Sequence, residues 1–305
     1  MKKNRIIFFS VIYDEMGIFI KEFINSIKSQ TFQNFTILLI DDTSNKKIRK
    51  RIIKELKNFK LVILDGKGKG NINRIIGLKY IQKNKKNFDI VVFGDSDDYM
   101  HKDRIKIIEK FFLKKKAKLI CSNLIFKKNQ TIKSDMFFKN KIYPKDLFDF
   151  NVIGLGCLSV RISLIKKFIE IIKECKTNIL DWFLITIFLI EHKENVIVLK
   201  KSKVNYRLYA NNLIGNPYLK LTKKKIKFLY ESKVAHYQNI IDYLTKKNIR
   251  NVSIFNLKKR LDLCQKNLDK IMDKKNRGLI ARIKKILTKK NKLYWFQSAL
   301  SDEVL

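Results

Sequence analysis

Through its first half the chain alternates short apolar runs with longer stretches whose apolar residues recur every three or four positions. The runs Ile6–Tyr13, Thr36–Asp41, Leu61–Leu64, Ile90–Phe93 and Leu119–Ile125 are β-branched or aromatic, and most end at Asp, Gly or Asn, as strands stopped by turn residues do. Between them, Met16–Ser29 places Phe19, Ile20, Phe23, Ile24 and Ile27 on one stripe, and Arg104–Leu113 repeats the design with Ile105, Ile108, Phe111 and Phe112. This alternation predicts an α/β domain with a mostly parallel central sheet covered by helices.

From Tyr218 the pattern changes. Ile226–Leu244, Ile254–Ile271 and Leu279–Leu287 read as lysine-rich helices with no strand signal between them. Pro217 and the pair Asn211-Asn212 punctuate the change, so the expected division is a catalytic-type domain over 1–216 and a basic helical C-terminal region over 217–305. No internal repeat is present.

Charge complicates the picture more than it resolves it. Lys and Arg number 67 against 28 Asp and Glu, a formal charge of +39 that would attract nucleic acid, acidic lipid or anionic substrates. Lysine, isoleucine and asparagine are abundant everywhere, so a solvated basic surface explains the number equally well. The four cysteines, Cys121, Cys157, Cys175 and Cys264, have neither zinc nor disulfide spacing, which fits a reducing, cytoplasmic setting. The apolar run Ile6–Tyr13 follows basic residues but is short, ends at Asp14-Glu15 and lacks a small-residue cleavage site. Phe183–Ile190 falls well below the ~18–20 apolar residues that span a bilayer, so any membrane association is expected to be peripheral.

The sharpest chemical signal is Val91-Val92-Phe93-Gly94-Asp95-Ser96-Asp97-Asp98, an apolar strand running into three acids within four residues. Such crowding costs electrostatic energy unless a cation neutralises it, and hard carboxylate oxygens at the carboxyl end of a parallel strand suit Mg²⁺ or Mn²⁺ bridging a diphosphate; an Asx-rich turn that caps the following helix is the alternative. Asp41-Asp42 closes the second predicted strand, Asp14-Glu15 the first, and Asp65 the third. Each pair alone would serve as a helix cap; together they put carboxylates along one edge, where open α/β sheets bind ligands. Gly66-Lys67-Gly68-Lys69-Gly70 has neither GxxxxGK[ST] nor GxGxxG spacing and reads as a flexible turn before the helix bearing Arg74.

Taken in order, Phe9-Ser10-Val11-Ile12-Tyr13-Asp14-Glu15, Ser26-Ile27-Lys28-Ser29-Gln30-Thr31-Phe32, Asn34-Phe35 leading to Asp41-Asp42-Thr43-Ser44, and Asp95-Ser96-Asp97-Asp98 resemble the inverting glycosyltransferases of family two, over about residues 6 to 215. That resemblance implies a GT-A nucleotide-binding fold and a nucleotide-sugar donor, a UDP-sugar before others. It implies that Asp14 or Glu15 and Asp41 or Asp42 receive the nucleoside, with Tyr13, Asp65, Arg74 and Ser96 counted among the substrate-binding residues. Asp95 would lie near the ribose and the metal, and Asp97 would ligate Mn²⁺ or Mg²⁺, with Asp98 in support. Asp181-Trp182, before the helix Phe183–Ile190, looks like the family's general base towards the acceptor hydroxyl, although an Asp there is also a common N-cap. Tyr206-Arg207-Leu208-Tyr209 looks like the family's closing loop, with Arg207 able to meet the diphosphate and Tyr209 standing where a histidine metal ligand often occurs. Assembly of a bacterial surface glycan on a glycan or lipid-linked acceptor is the role this resemblance implies.

The C-terminal stretch, with Leu279, Ile280, Ile283, Ile286 and Leu287 among Arg282, Lys284 and Lys285, fits an anchor on an anionic membrane surface. It fits equally well a helix packed on the catalytic domain or on another subunit of a homo-oligomer. No nucleic-acid-binding motif is recognisable, so no specific nucleic acid is expected; a basic, non-specific nucleic-acid binder is the rival from another class. A non-catalytic sugar-nucleotide binder is the third reading.

Overall fold

The computed structural model describes residues 5–68, 70–128, 131–135, 140–148, 151, 153–177, 179–207, 223–250 and 254–272. Ten strands among these residues belong to one sheet: β1 Ile6–Tyr13, β2 Phe35–Asp42, β3 Lys60–Asp65, β4 Ile90–Phe93, β5 Tyr99–Met100, β6 Leu119–Lys128, β7 Thr131–Asp135, β8 Lys141–Ile142, β9 Leu158–Arg161 and β10 Val196–Arg207. The helices are α1 Ile20–Lys28, α2 Lys46–Glu55, α3 Gly70–Lys83, α4 Arg104–Lys114, α5 Ile165–Lys173, α6 Leu180–His192, α7 Lys223–Lys246 and α8 Ile254–Met272.

The sheet runs β3-β2-β1-β4-β9-β6-β10-β5, with β7 on β6 and β8 on β10. Its first four strands pair in parallel, as does β6 with β10, while β9, β5, β7 and β8 pair antiparallel. The five strands read from the sequence therefore carry much of the parallel part. β1 and β2 are predominantly apolar and buried residue after residue, because both their faces are covered. Phe8 on one face packs with Phe23, Ile24 and Ile27 of α1. On the other face, Phe9 meets α3 at Gly77, and Phe93 lies tilted against Phe9 and stacked on Phe168 of α5. Each such aromatic contributes about 1.5–3 kcal/mol by burial.

Sequence periodicity merged two elements that the structure separates: Asp14–Ile18 is a 3-10 turn and α1 begins at Ile20. Gly17, a poor helix former, lies in that turn, where an added Cβ would stand 3.1 Å from Ile48 of α2. The strand β10 escaped notice because Lys200 and Lys201 interrupt its apolar pattern at the point where its pairing with β6 shifts register. β9 is four residues long, and β5 only two.

Contacts divide the chain into two compact units, one formed by 1–142, 153–173 and 195–207, the other by 143–152, 174–194 and 208–305. The first holds the whole sheet with α1–α5. In the second, α6 is apolar all round and buried from Trp182 to Ile190, and α7 packs on α8. Trp182 Nε1 donates to Leu147 O at 2.5 Å, and Tyr237 OH donates to Phe148 O at 2.7 Å. Among the described residues no helix is long and apolar enough to cross a membrane. Pro217, Asn211-Asn212 and the stretch Leu279–Leu287 lie outside the described residues.

Candidate functional site

Parallel pairing brings the carboxyl ends of β1 to β4 to one edge of the first unit, with Tyr13 opposite Asp42 and Asp41 opposite Asp65. The acids there are not equivalent. Asp14 accepts from Ser44 Oγ at 2.7 Å and from Ser44 N at 3.0 Å, which holds its pKa below the usual carboxylate value and ties the turn after β1 to the start of α2. Glu15 is exposed. Asp41 is buried; its Oδ1 closes a turn by accepting from Thr43 N at 3.2 Å and Thr43 Oγ1 at 2.7 Å. Arg49 bridges it to β3, with Nη1 3.5 Å from Asp41 and 2.5 Å from Asp65. Asp42 accepts from Gly68 N at 2.7 Å, and Gly68 has φ +71°, the left-handed backbone that glycine takes without strain. Lys67 N donates to Asn73 Oδ1 at 2.8 Å, so Asp42 and Asn73 together shape the glycine-lysine turn. Tyr13 is half-buried beside Asn73, and burial raises its phenol pKa.

The loop after β4 is fixed from several sides. Arg74 Nη2 of α3 donates to Asp95 Oδ1 at 2.8 Å. Ser96 is turned inward: its hydroxyl is buried and donates to Val11 O of β1 at 2.8 Å. Arg207, at the end of β10, donates from Nε to Asp97 O at 2.8 Å and from its backbone N to Asp98 Oδ1 at 2.9 Å. The same guanidinium pairs with Glu22 at 2.6 Å and lies 4.2 Å over the Phe19 ring and 5.4 Å from that of Tyr99. Asp98 is buried, and its carboxyl is pushed well above the usual range by burial and by the charges of Asp97 and Asp95. Beyond the acids, Gln30 donates to His101 O at 3.0 Å and accepts from Ile105 N at 3.1 Å, while Thr31 N donates to Lys102 O at 2.8 Å. The Gln-Thr motif therefore caps α4 and sets where the acidic loop ends.

Within the loop after β4, Asp95, whose side chain is 31% exposed, and Asp97 remain partly open. Among the described residues no three His, Cys, Asp or Glu side chains converge to hold a metal ion. Two carboxylates next to a strongly perturbed third still form a hard-oxygen donor set of the kind that Mg²⁺ or Mn²⁺ accepts together with phosphate oxygens. His101 Nδ1 accepts from Asp103 N at 3.3 Å. Asp181 belongs to the second unit, in the first turn of α6, where its Oδ1 accepts from Trp182 N at 2.8 Å. Tyr209 lies outside the described residues.

Sequence reasoning missed Arg49, Asn73, Arg104 and Gly156. Only Arg104 left a trace: four residues ahead of Ile108, it falls on the buried stripe of α4, where a cation is out of place.

A parallel half-sheet with acids at its carboxyl edge, continued by antiparallel strands, is the GT-A fold of a glycosyltransferase. The model of glycosyl transferase family 2 matches residues 9–169, more than half of the 305, and the chain belongs to that family. Among solved structures it resembles S. aureus TarS 1–349, with a TM-score of 0.57 and 15% identity over 90% of this chain and 74% of that one. The same protein in complex with UDP-GlcNAc gives a TM-score of 0.57 and 14% identity over 90% and 75%. The mannosyltransferase PcManGT from Pyrobaculum calidifontis, in complex with GDP-Man and Mn2+, gives 0.54 and 10% over 96% and 77%. No protein of curated function matches by sequence.

Proposed function

We propose that this glycosyltransferase moves a sugar from a nucleoside-diphosphate donor to an acceptor hydroxyl, with inversion at the anomeric carbon. The observation that carries this reading is the Asp95–Asp98 loop, braced by Arg74, Ser96, Arg207 and Gln30 while Asp95 and Asp97 stay partly exposed. Pre-set carboxylates at a sheet's carboxyl edge cost no reorganisation when a phosphate-bound cation arrives.

Asp97 and Asp95 would hold Mn²⁺ or Mg²⁺, which supplies charge stabilisation for the departing diphosphate. Burial, and after it repulsion from Asp97 and Asp95, raises the Asp98 carboxyl, and a divalent ion relieves the repulsion. Mg²⁺ is commonly held by one or two carboxylates plus substrate phosphates, so a two-carboxylate set fits. Asp41, Asp42, Asp65, Glu15 and Tyr13 line the edge proposed for the nucleoside, and Arg74 orients Asp95 there. Asp181 is proposed as the general base that takes the acceptor proton, an assignment resting on family resemblance. Ser96 acts from below, as a strap on β1, and Arg207 as a clasp on the loop.

Uridine and guanosine donors come first, because TarS is seen with UDP-GlcNAc and PcManGT with GDP-Man. A bacterial surface glycan on a glycan or lipid-linked acceptor is the proposed product. Peripheral attachment at the cytoplasmic face is proposed, supported by the +39 charge, and is tested by sedimentation with anionic vesicles at low and high salt.

The test is calorimetry of uridine, guanosine and cytidine diphosphates with and without Mn²⁺, on wild type and Asp97→Asn. Metal-dependent binding that the variant loses is expected and names the base. A folded wild type that binds none of the three overturns the reading.

A further inference from the structure

Arg104 is fully buried at the first position of α4 and, among the described residues, makes no ion pair; its Nη2 donates to backbone, its Nε to a side chain, and its Nη1 meets no acceptor. Nη2 donates to Phe93 O at 2.9 Å and to Gly156 O at 2.8 Å, and Nε donates to Ser122 Oγ at 3.2 Å. Ser122 is held in turn by Ser202 at 2.8 Å. Phe93 stands two residues before Asp95. Gly156 lies against Asp95 itself: a Cβ added there would come within 2.3 Å of Asp95 Oδ2 and 2.7 Å of its Cγ.

One guanidinium thus grips the two backbone segments that enclose Asp95, the strand end that delivers it and the glycine that fills the space behind it. Arg74 sets the exposed side of the same carboxylate through Oδ1. Burial pulls the Arg104 pKa down, while Cys157 and Cys121, and after them Asp95 and Asp98, act in the other direction. A buried charge is retained at substantial cost, and an apolar side chain at this position would fill α4's stripe more cheaply.

We propose that Arg104 is a positioning residue for Asp95, acting through the carbonyls of Phe93 and Gly156 to hold that carboxylate where the donor diphosphate meets it. This rests on the donor reading of Asp95 given above. Misplacing a binding group by a fraction of an ångström to 1 Å costs up to about a hundredfold, and removing a charge-assisted hydrogen bond about tenfold or more.

The experiment measures affinity for the nucleoside diphosphate and Mn²⁺ by calorimetry, and KM and kcat for the donor, in Arg104→Lys, Asp95→Asn and the double variant. Arg104→Lys keeps the charge but loses the fork, and its affinity is expected to fall about tenfold. In the Asp95→Asn background the same change should alter affinity less than about twofold, because its target is already gone. Equal losses in both backgrounds, or a folded Arg104→Lys protein with wild-type affinity, overturn the proposal. Gly156→Ala leaves Arg104 intact and pushes on Asp95 directly; it too should weaken binding about tenfold. If Arg104→Lys does not fold, Ser122→Ala, which takes away the Arg104 Nε acceptor, replaces it in the same cycle: an affinity loss that vanishes in the Asp95→Asn background is expected, and wild-type affinity in Ser122→Ala overturns the proposal. A wild-type protein that binds no nucleoside diphosphate fails the donor reading itself, whereas binding that neither variant changes fails only this inference.

Discussion

Arg207 holds Asp97 by its backbone: Nε donates to the Asp97 carbonyl at 2.8 Å, while the carboxylate takes no part in that bond. The guanidinium is committed further to Glu22 and to the face of Phe19, so in this arrangement it shapes the acidic loop from the side. Arg207→Ala is therefore expected to weaken metal-dependent nucleotide binding by about ten- to a hundredfold, the scale of charge-assisted hydrogen bonds lost from a positioning contact. Arg207→Lys should recover little, because a lysine cannot donate to Asp97 O and Glu22 in one plane while stacking on Phe19. Calorimetric titration of both variants measures this.

Ser96 lies inside the Asp-Ser-Asp-Asp motif yet points away from the edge, bonded to Val11 O. Ser96→Ala should lower unfolding free energy by about 1–3 kcal/mol, since a buried carbonyl loses its donor. Donor KM should move far less than in Asp95→Asn. Chemical denaturation beside donor kinetics separates the two.

Gly77 on α3 sits on the ring of Phe9, where an added Cβ would be 2.2 Å from Cζ. Gly77→Ala should destabilise the first unit by about 1–3 kcal/mol through overpacking, outweighing the gain in helix propensity. Urea unfolding followed by circular dichroism gives the value.

In the second unit, His236 is fully buried and stacked on Trp182, with ring centroids 3.7 Å apart and planes 17° from parallel. Neither ring nitrogen has a hydrogen-bond partner among the described residues. Burial, and then the charge of Lys233, holds its pKa well below the ordinary value. A base depressed in the folded state binds its proton more readily unfolded. Its contribution is fully present above the unfolded pKa of ~6.5 and is lost as pH falls from there towards the folded value, with a slope of at most about 1.4 kcal/mol per pH unit. Melting temperatures between pH 8 and 5.5 should fall on the acid side, and His236→Phe, which keeps the stack on Trp182, should flatten that fall.

Much of this was legible in the linear chain. Ile6–Tyr13 and Ile90–Phe93 were read with their observed ends, because a strand buried on both faces is predominantly apolar and turn-forming residues, Asp14 in one case and Gly94-Asp95 in the other, stop it. Met16–Ser29 was read too long because periodicity does not register a single glycine turn. Lys200 and Lys201 hid β10, since a strand's pairing depends on a partner such as β6 that lies far away in sequence. Arg49 is invisible for a related reason: only the parallel register of β2 with β3 puts Asp41 and Asp65 within reach of one guanidinium.

By itself the sequence determined the parallel half of the sheet, the acids at its edge and the family to which they belong, because strand periodicity, turn chemistry and motif spacing are local properties of the chain. Tertiary structure alone decided what each acid does. Asp14 ties the turn after β1 to Ser44, Asp42 holds the glycine turn, Asp98 is desolvated, and Asp95 and Asp97 remain partly exposed. Identical carboxylates differ in this way because charge, burial and hydrogen-bond partners come from residues up to about a hundred positions away, and only the packed fold brings those together.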